Sequence, residues 1–256
     1  MTARAKAAIE EADSLFGYTT YIDLIRPLAS GKTVVSTGMQ KEVDRVWQAI
    51  LAAEAGGTCA LICSGDPGVY AMAGLVFGLC RENNIPAGGG PQELRIEVIP
   101  GVPALCAGAA LLGAPLMHDF ASISLSDLLT PWEMIEKRVH AAAMGDFVIA
   151  FYNPKSKKRT WQLDAARNIL LEYRSKDTPV GMVTAAMRED QGIHLSTLEA
   201  MDTGIVGMQT IVFAGNSQTF IHENRMITPR GYENRYDLDQ GCSEGAGRTG
   251  RKNPDD

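Results

Sequence analysis

The feature that most constrains the fold is the stretch at residues 58–75, where an apolar run meets a polar, glycine-rich loop. Residues 59–63 show no polar alternation, which is typical of a strand covered on both faces in a parallel sheet. Residues 64–68 end this strand, and from Val69 the spacing of apolar residues predicts a helix. A strand, a tight loop and a helix in this order place binding groups at the carboxyl edge of an open α/β sheet.

The loop itself indicates what kind of ligand it could bind. Gly65 and Gly68 allow the backbone to approach a ligand closely, and Pro67 stiffens the turn between them. Asp66 is the only charge, and the lysine of a phosphate-binding Walker loop is absent. The loop therefore suits a ligand that offers hydroxyl, amine or cationic groups. The alternative is an ordinary turn in which Asp66 caps the next helix.

Length, charge and cysteine content exclude several classes of protein. A chain of 256 residues can form one large domain or two of about 120 residues. The net charge of −6 argues against general nucleic-acid binding, and no apolar run approaches the roughly 18 residues of a membrane span. The N-terminus reads as an amphipathic helix rather than a secretion signal. Five cysteines in mostly apolar runs fit a reducing, cytoplasmic setting.

The pair Cys59 and Cys63 could begin an iron–sulfur site, because such sites use closely spaced cysteines. Asp66 stands where the third ligand would be needed. Structural thiols are therefore the favoured interpretation, and no cluster of metal ligands is visible elsewhere. We expect no metal bound by the protein itself.

The order of elements predicts two domains. Strand and helix patterns alternate up to residue 112, including a helix with apolar residues from Val43 to Leu51 and a strand at 96–100. This alternation predicts an α/β domain with a parallel, doubly wound sheet over residues 1–117. Residues 118–238 read as a mixed α+β domain. Residues 239–256 are polar and glycine-rich, and we expect a disordered tail.

Several sequence blocks occur together and in order, and no single block is decisive. They are Gly17-Tyr18-x-x-Tyr21, Gly38-Met39-x-Lys41-Glu42-Val43, Ser64-Gly65-Asp66-Pro67-Gly68-Val69-Tyr70 and Ile99-Pro100-Gly101-Val102-Pro103-Ala104. With these blocks the chain resembles the tetrapyrrole methyltransferases of cobalamin biosynthesis. Four further blocks are similar to the members that methylate carbon 17 and contract the ring, namely residues 113–120, 152–159, 215–217 and 228–232.

The resemblance implies a two-domain tetrapyrrole methyltransferase fold that binds S-adenosylmethionine (SAM) in a cleft between the domains. It implies methylation of carbon 17 of precorrin-3B or cobalt-factor III, with ring contraction, by a cytoplasmic homodimer. Carried over residue by residue, the first domain would contact SAM through Ser64, Gly65, Asp66, Val69, Pro103 and Ala104. The second domain would contact it through Asn153, Thr184, Ala185, Gln209 and Thr210. Pro103 stands where relatives often carry a small hydroxyl residue, which puts a side-chain bond there in doubt.

One departure from the family concerns the first strand. Family members open with a strand and a Gly-x-Gly-Pro-Gly loop, whereas this sequence starts directly at the first helix, with Met1 and Thr2. We therefore expect the first strand of the N-terminal sheet to be missing here and Met1 to be an internal start. On this expectation, the 256-residue chain is poorly stable or inactive, because backbone groups that cannot pair destabilise a fold.

Catalytic and substrate-binding candidates follow from the chemistry that the resemblance implies. Ring contraction requires proton movement, for which His118 as general base and Asp119 as its orienter are candidates. The alternative for His118 is a hydrogen-bonding residue between the domains. A corrinoid precursor carries many carboxylates, and Lys155 and Arg159, with neighbouring lysines, offer local positive charge. That segment could instead be a solvated loop that caps the next helix. Tyr21 is a further substrate-binding candidate.

Other functions remain open at this point. A methyltransferase of the same family could act on another ring position or another substrate. A SAM-binding or pathway-scaffolding protein without catalysis would fit the missing first strand. A nicotinamide dehydrogenase is disfavoured, because no Gly-x-Gly-x-x-Gly pattern follows a strand.

Overall fold

The computed structural model describes residues 1–236 and residue 238. These residues fall into two compact units, Met1–Ala104 and a second unit that begins at Leu105. The tail expected at residues 239–256 lies outside the described residues.

The first unit is built on a parallel sheet of three strands in the order β2-β1-β3. The strands are β1 (Ser14–Tyr18), β2 (Thr33–Thr37) and β3 (Cys59–Ile62). Its helices are α1 (Ala3–Glu11), α2 (Thr19–Leu24), α3 (Glu42–Glu54) and α4 (Ala73–Glu82). Because both strand pairs are parallel, the carboxyl ends of all three strands meet at one edge of the sheet. The predicted parallel α/β architecture is confirmed in this unit.

Helix boundaries in the first unit follow local chemistry. Thr2 caps α1, since its hydroxyl oxygen accepts a hydrogen bond from the amide of Ala5 at 3.2 Å. The helix expected from Val69 begins four residues later, at Ala73. The prediction was wrong because residues 67–72 form turns, in which Tyr70 adopts a positive φ of 50° that no helix accommodates.

The strand predicted at residues 96–100 is not formed in the described structure. Ile96 is partly buried and packs against the apolar cluster that contains Val46 and Ile50. Among the described residues the segment has no hydrogen-bonded neighbouring strand, and β3 is the edge of its sheet. An apolar run predicts burial, but a strand also requires a backbone partner.

The second unit contains a mixed sheet of five strands in the order β5-β6-β9-β7-β8. The strands are β5 (Phe120–Ser124), β6 (Val148–Tyr152), β7 (Pro179–Thr184), β8 (Gly192–Thr197) and β9 (Thr210–Ala214). β5 and β6 are parallel, whereas the other pairs are antiparallel. α5 (Ala104–Leu112), α6 (Trp132–Met144) and α7 (Gln162–Tyr173) complete the main elements. A smaller sheet joins β4 (Gly113–Ala114), β10 (Phe220–His222) and β11 (Arg225–Ile227).

Residues 105–114 belong to the second unit, so the units divide earlier than the expected boundary after residue 117. Gly108 lies against β9, where an added Cβ would come within 2.9 Å of both Ile211 and Phe213. The side chain of Leu112 fills the space beside Gly181 in β7. β4 pairs with β11. These contacts explain why α5 packs with the later part of the chain.

No helix in the part of the chain that the structure describes is long and apolar enough to cross a membrane. No group of three or more His, Cys, Asp or Glu side chains within it could hold a metal ion.

Candidate functional site

The loop that follows β3 is organised by Asp66. One carboxylate oxygen accepts a hydrogen bond from the amide of Gly68 at 2.8 Å, and the other accepts one from the amide of Gly101 at 3.0 Å. Asp66 therefore joins two loops that are far apart in sequence. It does not cap α4, whose first turn receives no side-chain hydrogen bond.

The two loops approach each other backbone to backbone. A Cβ on Gly101 would lie 1.9 Å from the carbonyl oxygen of Gly65, so no larger residue fits there without a backbone shift. Gly65 has a φ of +75°, and a Cβ there would lie 3.4 Å from the Cα of Pro103 and 3.9 Å from the amide nitrogen of Ala104. The structure thus brings together the first-unit residues that the sequence singled out, with Ser64 and Val69 in the same loop.

Arg45 is a central residue of this edge that the sequence analysis missed. Its guanidinium donates to the hydroxyl of Thr37 at 2.7 Å, to the carbonyl of Gly38 at 2.9 Å and to the sulfur of Met72 at 3.4 Å. The side chain is buried, and no carboxylate lies within ion-pair distance of it among the described residues. A buried, uncompensated cation therefore holds the end of β2 beside the loop that precedes α4.

The burial of Arg45 follows from the face of α3 that packs against the rest of the unit. The expected apolar face ran from Val43 to Leu51, whereas the buried residues are Arg45, Val46, Ala49 and Ile50. Val43 is exposed, so the helix is rotated relative to the expectation. A charged side chain flanking an apolar stripe can be buried when it finds hydrogen-bond acceptors.

Cys63, directly after β3, lies close to Arg45 and Asp66, whereas Cys59 begins the strand. Burial raises the pKa of the Cys63 thiol, and Arg45 opposes this shift, while Asp66 adds to it. Burial also raises the pKa of Cys59. Both thiols are therefore neutral at physiological pH, the form that suits packing.

In the second unit, the end of β7 and the start of β9 bring four candidates together. The hydroxyls of Thr184 and Thr210 lie 2.8 Å apart, and the amide of Ala185 donates to the carbonyl of Gln209 at 3.0 Å. Ala185 is buried and has a φ of +48°, which turns the chain sharply after the strand. The antiparallel register of β7 and β9 places these residues at one edge of the sheet.

Asn153 lies at the same edge, because β6 runs beside β9 with Phe151 opposite Val212. Asn153 has a φ of +50°, and its side-chain amide donates to the hydroxyl of Ser124 at 2.9 Å. Its carbonyl oxygen accepts a hydrogen bond from Arg159 at 2.6 Å. The unusual backbone conformation of Asn153 is thus held by partners on both sides.

Arg159 differs from the sequence expectation of a surface cation. It is buried, and besides Asn153 it contacts the carbonyl of Leu125 at 3.5 Å. Burial lowers the pKa of Arg159, and the charge of Asp127 opposes that shift. Lys155 donates to the carbonyl of Thr203 at 2.9 Å. In this geometry both side chains hold loops, and their role in binding substrate stays a prediction.

His118 and Asp119 precede β5 and contact each other through the backbone amide of Asp119. Nδ1 of His118 accepts a hydrogen bond from the amide of Asp119 at 2.8 Å, while the nearest carboxylate oxygen of Asp119 is 3.8 Å away. With Nδ1 as the acceptor, Nε2 is the nitrogen that carries the proton in the neutral ring and can donate it. A role for His118 as a general base stays a prediction.

Tyr21 follows the end of β1. Its ring packs edge to face on Tyr18, with the centroids 5.3 Å apart, and also contacts the apolar cluster of Ile9 and Ile22. The tyrosine is therefore held beside the carboxyl edge of the first-unit sheet. Nothing in its contacts assigns it to a substrate.

Comparison with known proteins agrees with the resemblance in the motifs. A family model described as "Tetrapyrrole (Corrin/Porphyrin) Methylases" matches residues 1–202. The chain is 51% identical over 240 residues to the cobalt-factor III methyltransferase of Priestia megaterium. This match covers 94% of the chain and 44% of that relative. The chain therefore spans less than half of the relative's length.

A second relative is matched over almost its full length. The chain is 46% identical to the probable cobalt-factor III C(17)-methyltransferase of Salmonella typhimurium over 232 residues, which are 91% of the chain and 93% of that protein. The crystal structure of the methyltransferase CobJ is 36% identical, with a TM-score of 0.83 over 90% of this chain and 93% of that one. The chain therefore belongs to the tetrapyrrole (corrin/porphyrin) methylases.

Proposed function

We propose that this protein transfers a methyl group from SAM to carbon 17 of cobalt-factor III or precorrin-3B, with ring contraction, in cobalamin biosynthesis. The observation that carries the proposal is the match to a carbon 17 methyltransferase over almost the whole of both chains. We further propose that the protein acts in the cytoplasm as a homodimer.

The first-unit loop fits SAM in two respects. The glycine contact between residues 65 and 101 lets the two loops pack backbone to backbone, which holds the residues that we assign to SAM close together. Asp66 uses each carboxylate oxygen once, and each oxygen can accept a further hydrogen bond from a ligand hydroxyl or amine. We assign SAM binding in this unit to Ser64, Gly65, Asp66, Val69, Pro103 and Ala104.

The second-unit candidates fit SAM by the groups that they present. The hydroxyl pair of Thr184 and Thr210 can both donate and accept, and the buried turn at Ala185 brings backbone close to a ligand. We assign SAM binding in this unit to Asn153, Thr184, Ala185, Gln209 and Thr210. Arg159 is then a positioning residue for Asn153.

Positioning dominates the proposed mechanism. When bound, SAM would supply an electrophilic methyl group, whose bond to the sulfonium sulfur breaks as the bond to the attacking carbon forms in line. The residues of the two loop systems fix its orientation, so that an attacking carbon meets the methyl group at the required angle. Ring contraction also needs a proton to move at an oxygen of the neighbouring bridge carbon. His118 is the proposed general base for that proton; since Nε2 of the neutral ring already carries the ring proton, Nδ1 would take it up after release from the Asp119 amide.

The test is incubation of the purified chain with SAM and each candidate substrate, followed by mass spectrometry and NMR of the product. The proposal expects one added methyl group, located at carbon 17. Methylation at another carbon would indicate that the protein has the activity of a different member of the family. Binding of SAM without turnover of any tetrapyrrole would instead favour a non-catalytic SAM-binding protein.

A further inference from the structure

The loop between β5 and α6 carries two adjacent leucines that project into water. Leu128 is 68% exposed and Leu129 is 98% exposed. We call these two residues the leucine tip. Trp161, which is about half exposed, adds apolar surface on the neighbouring loop. Contiguous exposed apolar surface of this kind commonly marks a binding site, because water contact with apolar groups is unfavourable.

The base of the leucine tip is fixed to the neighbouring loop. On one side, Asp127 accepts a hydrogen bond from the buried Gln162 at 2.9 Å. On the other side, the rings of Trp132 and Trp161 pack edge to face, with centroids 4.7 Å apart. Leu125, just before the tip, is completely buried. The exposure of the leucines is therefore imposed by a tethered loop.

Positive charge lies on the loop to which the tip is tethered. Lys157 and Lys158 are exposed there, and they precede the buried Arg159. Among the acidic side chains nearby, Asp127 accepts a hydrogen bond from Gln162, and Glu133 is exposed in the first turn of α6. The surface thus combines apolar side chains with unpaired lysines among the described residues.

The position of this surface also matters. β5 and β6 are parallel, so the loops that follow them emerge at the same sheet edge. Ser124 at the end of β5 receives the hydrogen bond of Asn153, which we assigned to SAM. The leucine tip is therefore held in the loop that begins at a proposed SAM-binding contact.

We propose that the leucine tip and the lysine pair Lys157–Lys158 receive the tetrapyrrole substrate. The leucines lie against the apolar face of the macrocycle, and the lysines pair with its peripheral carboxylates. A flat apolar ring with an anionic rim complements a surface with this distribution of apolar and basic groups. The inference rests on the proposed function, since it names the residues that hold the substrate of that reaction.

The experiment uses the full chain and uroporphyrin III, a stable tetrapyrrole polycarboxylate, as the binding probe. The double variant Leu128→Ser/Leu129→Ser should raise the Kd for the probe by about tenfold or more, because two apolar contacts are lost. The Kd for SAM and the thermal melt should not change. The matched control is Met144→Ser, an equally exposed apolar residue at the opposite end of α6, which should leave the Kd for the probe unchanged.

The salt dependence of probe binding distinguishes the contribution of the leucines from that of the lysines. The leucine variant should keep the salt dependence of probe binding, whereas Lys157→Gln/Lys158→Gln should flatten it. An unchanged probe Kd in the leucine variant overturns the inference. So does a loss of dimerisation in that variant, measured by light scattering, because the tip would then contact a second copy of the chain.

The outcomes of this experiment and of the methylation assay are distinguishable. If the wild type methylates its substrate and the leucine variant has the same KM, the inference fails while the proposed function stands. If probe binding depends on the leucines but no methyl transfer occurs, the proposed function fails, while the assignment of the leucine tip to tetrapyrrole binding stands. If the wild type neither binds the probe nor turns over substrate, both are overturned.

Discussion

Replacing Asp66 with asparagine tests the contact that organises the first-unit loop. The two carboxylate oxygens accept hydrogen bonds from the backbone amides of Gly68 and Gly101, at 2.8 and 3.0 Å. Asparagine has one acceptor oxygen and one NH₂ group, so one of the two backbone amides would face a donor. The lost hydrogen bond and the unpaired amide together cost about 1–3 kcal/mol. Because Asp66 is only half-buried, water can replace part of this loss, and the lower end of the range applies.

The expected result of Asp66→Asn is a rise of about five- to thirtyfold in the Kd for SAM, measured by calorimetry. That range corresponds to about 1–2 kcal/mol. The melting temperature should fall by a few degrees at most, since about 1 kcal/mol shifts the melt of a chain of this size by roughly 2–4 °C.

A matched control is available in the second unit. Asp202 makes the same local turn, with its carboxylate accepting the amide of Gly204 at 2.7 Å. It forms no second link to a distant loop in the described structure, so one acceptor oxygen is sufficient there. Asp202→Asn should therefore leave SAM binding unchanged. An unchanged Kd for SAM in Asp66→Asn would refute the assignment of Asp66 to the site.

Three further substitutions probe the remaining site residues. Arg159→Met should weaken SAM binding severalfold by releasing the carbonyl of Asn153. It should also lower the free energy of unfolding by about 1–3 kcal/mol, because the carbonyls of Asn153 and Leu125 lose their donor; an unchanged Kd would remove its positioning role. Arg45→Ala should lower the free energy of unfolding by about 2 kcal/mol or more, since the hydroxyl of Thr37 and the carbonyl of Gly38 lose their donor. Denaturant titration measures this change, and a loss below about 0.5 kcal/mol would contradict the prediction. His118→Ala should reduce kcat by roughly a hundredfold, while KM changes little. Normal turnover in that variant would leave His118 a structural residue.

The sequence predicted the elements whose signals are local. The strand before Ser64 was identified from its apolar run and from the polar loop that ends it. α1 was found from Thr2 and the pattern that follows it. These elements are specified by their own residues, so no knowledge of the rest of the chain was needed.

The remaining features depend on partners distant in sequence. The segment at 96–100 carries the pattern of a strand, but strand formation depends on a neighbour that no local pattern reveals. β4, β10 and β11 are too short for a recognisable periodicity, and they exist because they pair with one another. Division of the units at residue 104 follows from the packing of α5 on β7 and β9.

The same limit applies to the site. The loop at 64–68 and the strand ends were recognised from motifs, and the structure brings the residues of each unit together. The burial of Arg159 could not be predicted, because four basic residues within 155–159 look alike in sequence. Only the carbonyls of Asn153 and Leu125 distinguish Arg159 from its neighbours. Arg45 escaped notice for a related reason, since its acceptors lie on other elements.

The central claim is methyl transfer to carbon 17, and it is tested most directly with SAM that carries an isotope-labelled methyl group. The purified chain is incubated with cobalt-factor III and, separately, with precorrin-3B, and the product is examined by NMR. The proposed function predicts the label at carbon 17 of a ring-contracted product with at least one of the two substrates. A label at another carbon, or no labelled product from either substrate while SAM binds, would contradict it.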